Sequence, residues 1–172
     1  MSGASTAHPA ALPIDQLARE CETTWTRRGG PGGQHRNKVE TAVVVTHRAT
    51  GLVGQASERR SRDLNHQMAV HRLRVELALG VRAPSGEGDA PSPLWQARCR
   101  QGKIVVSAGS DHFPALLAEA LDRLGASEWN VARAAEMLGA TTTQLVRFLQ
   151  LEPRAMAQLN AARRQRGQRP LK

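Results

Sequence analysis

The ten residues Gly29-Gly30-Pro31-Gly32-Gly33-Gln34-His35-Arg36-Asn37-Lys38 constrain this chain more than any other stretch, because four of them are glycine and one is proline. Glycine tolerates positive φ and lets a backbone approach a partner closely. Proline fixes φ and removes a donor. The run therefore reads as a projecting loop built around one glutamine. A glutamine amide cannot take up a proton near neutral pH, so Gln34 supplies no general base; it can donate, accept and position. Arg27, Arg28, Arg36 and Lys38 flank it and point to a polyanionic partner.

Two familiar uses of glycine-rich loops are excluded. The run has no G-x-x-x-x-G-K-[ST] and no G-x-G-x-x-G between a strand and a helix, so it is neither a Walker A loop nor a dinucleotide fingerprint. The bland alternative is a flexible surface loop, since such loops are commonly rich in glycine.

The net charge of +9 over 172 residues favours nucleic acid or an anionic membrane surface. No apolar run approaches the roughly 20 residues that span a bilayer. Met1–Pro13 lacks a basic segment leading into an apolar one, so it does not read as a secretory signal. Cys21 and Cys99 match no metal-ligand spacing and read as free thiols in a reducing cytosol. These points favour nucleic acid over lipid, a cytoplasmic location, and no metal or cofactor. Aromatic residues make up 3% of the chain and tyrosine is absent, so the core must come from Leu, Val and Ala.

Along the chain, residues 1–16 read as a disordered start, with Met1–Pro13 small and polar. Leu17 to Thr26 reads as a helical turn or an entering strand, with Trp25 under the loop that follows. Val39, Thr41, Val43 and Val45 alternate with their neighbours as a strand does, and Leu52–Ala56 pairs with them as a hairpin. Ser61 suits the N-cap of a helix over 62–79. Leu64, Met68, Val75 and Leu79 fall on one face of that helix and Val70, Leu73 and Leu77 on another. His71 reads as a satisfied core or boundary histidine.

Residues 81–111 read as a linker with a basic segment around Arg98, Arg100 and Lys103. Residues 112–162 read as a small helical unit. Phe113–Leu124 is one helix, with Gly125 as its C′ residue. Val131, Ala134, Ala135 and Leu138 mark a second, ended by Gly139. Thr141 and Gln144 cap a third, and a last helix runs from Pro153 to about Ala162. The Gly-centred turn gives a helix-turn-helix-like pattern. Its second helix offers Thr142, Thr143, Gln144 and one arginine, Arg147, which favours packing or docking over sequence-specific DNA reading. Residues 163–172, with Arg163, Arg164, Arg166, Arg169 and Lys172, read as a basic tail without fixed structure. The fold class is therefore α+β: a short mixed or antiparallel sheet with one long helix over 17–80, then a small all-α unit.

Gly-Gly-Gln-His-x-Asn-Lys, with His47-Arg48-Ala49-Thr50-Gly51, Arg60-Ser61 and Asn65, resembles the catalytic domain of bacterial class I peptide-chain release factors. Ribosome-rescue hydrolases share this domain. The resemblance runs from about Glu20 to Leu79. Arg36 stands where valine is usual, Gly30 where serine is common, and Arg62 and His66 where glutamine and arginine are. The resemblance implies ribosome-dependent hydrolysis of the peptidyl-tRNA ester, with Gly32, Gly33 and Gln34 catalytic. It implies RNA contacts from Arg27, Arg28, His35, Arg36, Asn37, Lys38, Arg60 and Arg62, and from the tail residues Arg163, Arg164, Arg166, Arg169 and Lys172.

The implied partners are ribosomal RNA of the large-subunit peptidyl-transferase centre, the P-site peptidyl-tRNA, the mRNA channel of the small subunit, and a methyltransferase acting on Gln34. About twenty residues precede the domain, too few for a codon-recognition domain, so codon-independent release in ribosome rescue is expected. A non-catalytic RNA- or ribosome-binding protein, and a DNA-binding regulator using the C-terminal unit, are the competing readings.

Overall fold

A computed structural model describes residues 7–26, 41–86 and 88–172. In chain order, a 3-10 turn over Pro9–Ala11 leads into α1 (Ile14–Glu20), then β1 (Cys21–Thr26), β2 (Ala42–His47), β3 (Val53–Ala56) and the long α2 (Arg62–Gly80). After these come α3 (Pro93–Arg98), β4 (Cys99–Arg100), β5 (Lys103–Ile104), α4 (Phe113–Ala126), α5 (Val131–Met137), α6 (Thr142–Gln150) and α7 (Pro153–Gln165). The architecture is α+β, a three-stranded antiparallel sheet on a long helix followed by a mostly helical region.

The sheet runs β1-β2-β3. Val43, Val45 and His47 of β2 point inward with Gly54 and Ala56 of β3, as period-two alternation requires. Helix α2 starts at Ser61, whose hydroxyl accepts the Leu64 amide at 3.3 Å. Asn65, Ala69, Leu73 and Leu77 form a buried stripe at i, i+4 spacing. The stripe reaches the sheet at Gly54. A Cβ there would overlap the Ala69 carbonyl and the Leu73 amide and lie 2.8 Å from the Leu73 Cβ. Only a missing side chain lets the helix approach this closely.

The expected division of α2 into two apolar faces holds for Val70, Leu73, Val75, Leu77 and Leu79, which are buried. Leu64 and Met68 are instead exposed. Toward its C-terminus the helix is covered on different sides by the sheet, the N-terminal turn and α4. In its first turns the side carrying Leu64 and Met68 faces solvent. His71 is half-buried and pairs with the Ala108 carbonyl at 3.0 Å.

Three segments are more ordered than the sequence implied. In the N-terminal stretch, residues 7–16 hold the 3-10 turn and the start of α1. The His8 Nδ1 accepts the Ala10 amide at 3.0 Å and its Nε2–H donates to the Val81 carbonyl at 3.2 Å. Burial lowers the pKa of that imidazole, which keeps it neutral.

The expected linker is pinned to α4. The Ala83 amide donates to Asp122 at 3.0 Å, Ser92 donates from its amide to Glu119 at 2.7 Å, and Arg123 donates to the carbonyls of Gly86 at 2.7 Å and Ala90 at 3.2 Å. Further along the same stretch, α3 buries Trp95, whose Nε1–H donates to the Leu138 carbonyl at 2.7 Å. Trp95 also meets Phe148 edge-on, with centroids 5.7 Å apart.

The third segment is the basic tail, which is folded back. Gly167, at φ +69, lets the Gln168 amide reach the Arg163 carbonyl at 2.9 Å. Asn160 then holds Leu171 by two bonds of 2.8 and 2.9 Å. Gly125 does not end α4; the helix continues to Ala126 and is capped at Ser127.

Two outcomes follow from this packing. Gly54→Ala should cost roughly 1–3 kcal/mol, because backbone and not a mobile side chain must yield. Calorimetry should show Tm lower by about 3–10 °C. Asp122 supplies a test against pH. Burial raises its pKa to about 6 from 3.8, against the opposing pull of the Ala83 amide and Arg82. Well below pH 3.8 the carboxyl is protonated in both states and contributes nothing. As pH rises from there to about 6 the unfolded chain ionises first, so the folded state loses stability, by up to about 3 kcal/mol. Asp122→Asn should therefore melt above the parent at pH 8 and at the same temperature well below pH 3.8.

Candidate functional site at the stem of the glycine-rich loop

The loop residues of 27–40, including Gly32, Gly33, Gln34 and the flanking Arg27, Arg28, His35, Arg36, Asn37 and Lys38, lie outside the described residues. What the structure describes is the stem that carries them. Thr26 ends β1 opposite Ala42 of β2, so the chain leaves and re-enters the sheet at one edge. The re-entry point is fixed by Asn65, which is fully buried. Its Nδ2 donates to the Thr41 carbonyl at 2.6 Å and the Arg59 carbonyl at 2.9 Å, while its Oδ1 accepts the Arg59 amide at 2.9 Å. One amide side chain thus ties together the loop's return strand, the 57–61 bend and α2.

The bend is braced a second time. Arg72 donates to the Gln55 carbonyl and to Glu58, each at 2.7 Å. That hydrogen bond, with the Ser57 amide, holds the Glu58 carboxyl down at about 2. Arg59 and Arg60 are consequently presented to solvent at the base of the loop. Beside them the Arg62 guanidinium lies 4.1 Å over the Trp25 ring. His66, one turn further on α2, stacks on the same indole at 6.1 Å and 26°. Trp25 thus packs at the loop's stem with Arg62 on its ring; its expected place under the loop falls on residues outside the described ones. Arg62 and His66 are two of the positions where this chain departs from the family pattern, and both meet on Trp25.

The far end of β2 is closed by His47. Its Nε2–H donates to Glu20 at 3.0 Å, and its Nδ1 pairs with the Thr50 hydroxyl at 2.8 Å. Thr50 also accepts the Leu52 amide at 3.3 Å, and Gly51 turns the chain at φ +71. The His47-Arg48-Ala49-Thr50-Gly51 run is therefore a structural corner that joins the end of α1 to the β2–β3 turn.

The tail cations are elsewhere. Helix α7 meets α2 through Arg154 and Glu76 at 2.5 Å, then through Gln158 to the Leu79 carbonyl at 3.0 Å and Arg82 to Gln158 at 2.7 Å. Those contacts advance away from Asn65. Arg163, Arg164, Arg166, Arg169 and Lys172 therefore sit beyond the far end of α2, which is about 20 Å from Asn65 at 1.5 Å per residue. Arg163 donates to the Arg169 carbonyl at 2.9 Å and Arg166 to the Ala162 carbonyl at 3.2 Å. Among the described residues, no cluster of His, Cys, Asp and Glu could hold a metal, and no helix is long and apolar enough to cross a membrane. Cys21 and Cys99 are free thiols whose pKa values burial pushes up.

Residues 13–90 match the RF-1 domain family. This chain carries an RF-1 domain. Among curated proteins, peptide chain release factor PrfB1, chloroplastic, of Arabidopsis thaliana is 42% identical over 96 residues, which cover 52% of this chain and 21% of that one. Peptide chain release factor 1 of Caldicellulosiruptor saccharolyticus is 39% identical over 119 residues, covering 59% and 34%. Peptide chain release factor 1 of Acidiphilium cryptum is 33% identical over 131 residues, covering 71% and 37%. The chain thus spans between about a fifth and two-fifths of the length of these relatives. No solved structure matches. The RF-1 domain takes in the α1–β3 sheet, α2 and the pinned stretch beyond it.

The sequence motif includes Asn65 without revealing its clamp. The signal was available: it heads the Asn65-Ala69-Leu73-Leu77 stripe, where a polar side chain must find partners. Asn65→Ala should orphan the Thr41 and Arg59 backbone groups and cost about 2–4 kcal/mol. Hydrogen exchange should show the Arg59 amide losing protection while the Val43 and Val45 amides keep theirs under native conditions.

Proposed function

We propose that this protein hydrolyses the ester joining a nascent peptide to P-site tRNA, on the ribosome and without reading a codon. The observation that supports it most directly is the coincidence of an RF-1 domain with Gly32-Gly33-Gln34, on a loop whose stem is rigidly clamped and lined with Arg60 and Arg62. Water attacks the ester carbonyl and a tetrahedral oxyanion forms. Gly32 and Gly33 admit the main chain to a crowded RNA site without a Cβ clash. The Gln34 main-chain N–H then donates to the oxyanion or the leaving oxygen, and its side chain positions water. Gln34 offers no base, so in this reading the proton passes to substrate hydroxyls, RNA or solvent. The ribosome supplies most of the site, and the isolated protein is nearly inert.

Arg27, Arg28, His35, Arg36, Asn37 and Lys38 act in this reading as contacts to ribosomal and tRNA phosphates near the peptidyl-transferase centre. The codon-independent part is supported by the region after the RF-1 domain. It carries a helical unit whose α6 shows threonines and one arginine to solvent, a set that suits backbone docking over base reading. Insertion of the tail into an mRNA channel would first require Leu171 to leave Asn160.

The test is release of labelled peptide from ribosomes with an empty A site. Gln34→Ala and Gly33→Ala should each slow release by about 10²–10³ while ribosome binding is unchanged. Parent-like release by both variants would sink the catalytic assignment.

A further inference from the structure

The helical unit displays a second cationic surface, away from the loop stem. From Pro93 to Ile104 the chain carries Arg98, Arg100 and Lys103 and no carboxylate; α6 carries Arg147 and likewise no carboxylate. Strands β4 and β5 are joined by Gln101 and Gly102, both at positive φ (51° and 75°), which makes the tight two-residue turn of a hairpin. The hairpin is not free to swing. Gly102 bridges Ala140, its carbonyl accepts the Thr141 amide at 3.1 Å, and Trp95 anchors α3 to the Leu138 carbonyl. Strand β5 packs on α6. The basic tip is therefore held beside the α5–α6 turn, next to the exposed Thr142, Thr143, Arg147 and Gln150.

One detail of that hairpin points outward. Arg100 and Lys103 are direct cross-strand partners, both exposed. Like charges directly opposite one another destabilise a strand pair. Among the described residues no carboxylate pairs with Arg100, Lys103 or Arg147. The fold bears this repulsion without an internal carboxylate to relieve it, and an external anion would do so.

We propose that the β4–β5 hairpin and the exposed face of α6 form a second RNA-binding surface, which holds the phosphates of structured RNA. The choice of RNA rests on the ribosome-dependent reading above. The chemistry narrows the mode of contact. Threonine hydroxyls, one ammonium and two guanidiniums match a phosphate backbone; on α6 only Gln144, Arg147 and Gln150 are long enough to read base edges. A helix does not enter the deep, narrow major groove of A-form RNA, so this surface lies across the backbone and recognises shape.

The experiment uses the full chain. Binding to ribosomes, to an RNA hairpin and to a DNA duplex of equal length is measured over a series of KCl concentrations. Arg100→Gln, Lys103→Gln and Arg147→Gln are combined in one variant. On ribosomes and on the RNA hairpin, the slope of log affinity against log salt should fall by roughly 2–3, at about 0.7–0.9 per lost contact. A single Lys103→Glu variant guards against misfolding. It converts the repelling pair into an attracting one, so Tm should rise while affinity for the RNA hairpin drops about tenfold. An unchanged ribosome slope in the triple variant overturns the proposal. So does a Lys103→Glu protein that melts higher yet binds RNA like the parent, or a triple variant that loses only DNA binding. Should the parent fail to release peptide while the triple variant still loses its RNA slope, the hydrolase reading falls and this surface stands.

Discussion

The structure depends on a backbone-to-backbone approach at one glycine. Gly54 has no side chain, and the space is filled by the Ala69 carbonyl and the Leu73 amide of α2. This contact sets the height of the helix over the sheet. Asn65 lies one helical turn before Ala69 on the same stripe, so the height decides whether its amide reaches Thr41 and Arg59. Arg62 and His66 occupy the neighbouring stripe and reach Trp25 for the same reason. A helix raised by the thickness of a methyl group would keep its amphipathic pattern but lengthen all of these bonds together. Precision at the loop stem is inherited from a packing contact two strands away.

Charge in this molecule divides into two populations. Arg72, Arg82, Arg123 and Arg154 are consumed internally, on Glu58, on the end of α2, on the pinned connection before α3, and on Glu76 with Glu152. They hold segments together by charge-assisted bonds to carbonyls and carboxylates. Arg59, Arg60, Arg100, Lys103 and Arg147 are left to solvent. A net charge of +9 by itself could describe either population. Of the cations with internal duties, Arg72 braces the bend beside the loop stem and Arg82, Arg123 and Arg154 serve the contacts of α2, α4 and α7, while the displayed ones lie at the loop stem and around the α5–α6 turn.

Period-two and period-four patterns were legible in the sequence, and so were the caps at Ser61 and Thr141, because each depends on residues a few positions apart. The Gly32-Gly33-Gln34 tripeptide, to which the proposed chemistry is assigned, was legible for another reason: it lies in a specific run with His35, Asn37 and Lys38 in register. What stayed hidden was order that arises from distant partners. The stretch after α2 has the proline, glycine and serine content of a linker, yet Asp122, Arg123 and Glu119 pin it from α4. The tail has the charge of a solvated run, yet Asn160 and Gly167 turn it back. Leu64 and Met68 looked like core because helical spacing reports a face and says nothing of whether another element covers it.

The two ends of α2 now carry different burdens. Its first turns position the stem of the loop, and its last turn is capped by Arg82 and bonded to Gln158 of α7. A 19-residue helix buried on several sides transmits position well, since protein interiors are close-packed and yield little. Contacts made by the helical unit therefore fix where the loop stem lies, at a distance set by the helix and not by a flexible joint. In the proposed reaction Gln34 takes up no proton, so its part in the chemistry is placement. The pinned connection and the folded-back tail then have a common sense. Each removes a freedom that would otherwise blur the placement of the loop stem relative to the helical unit.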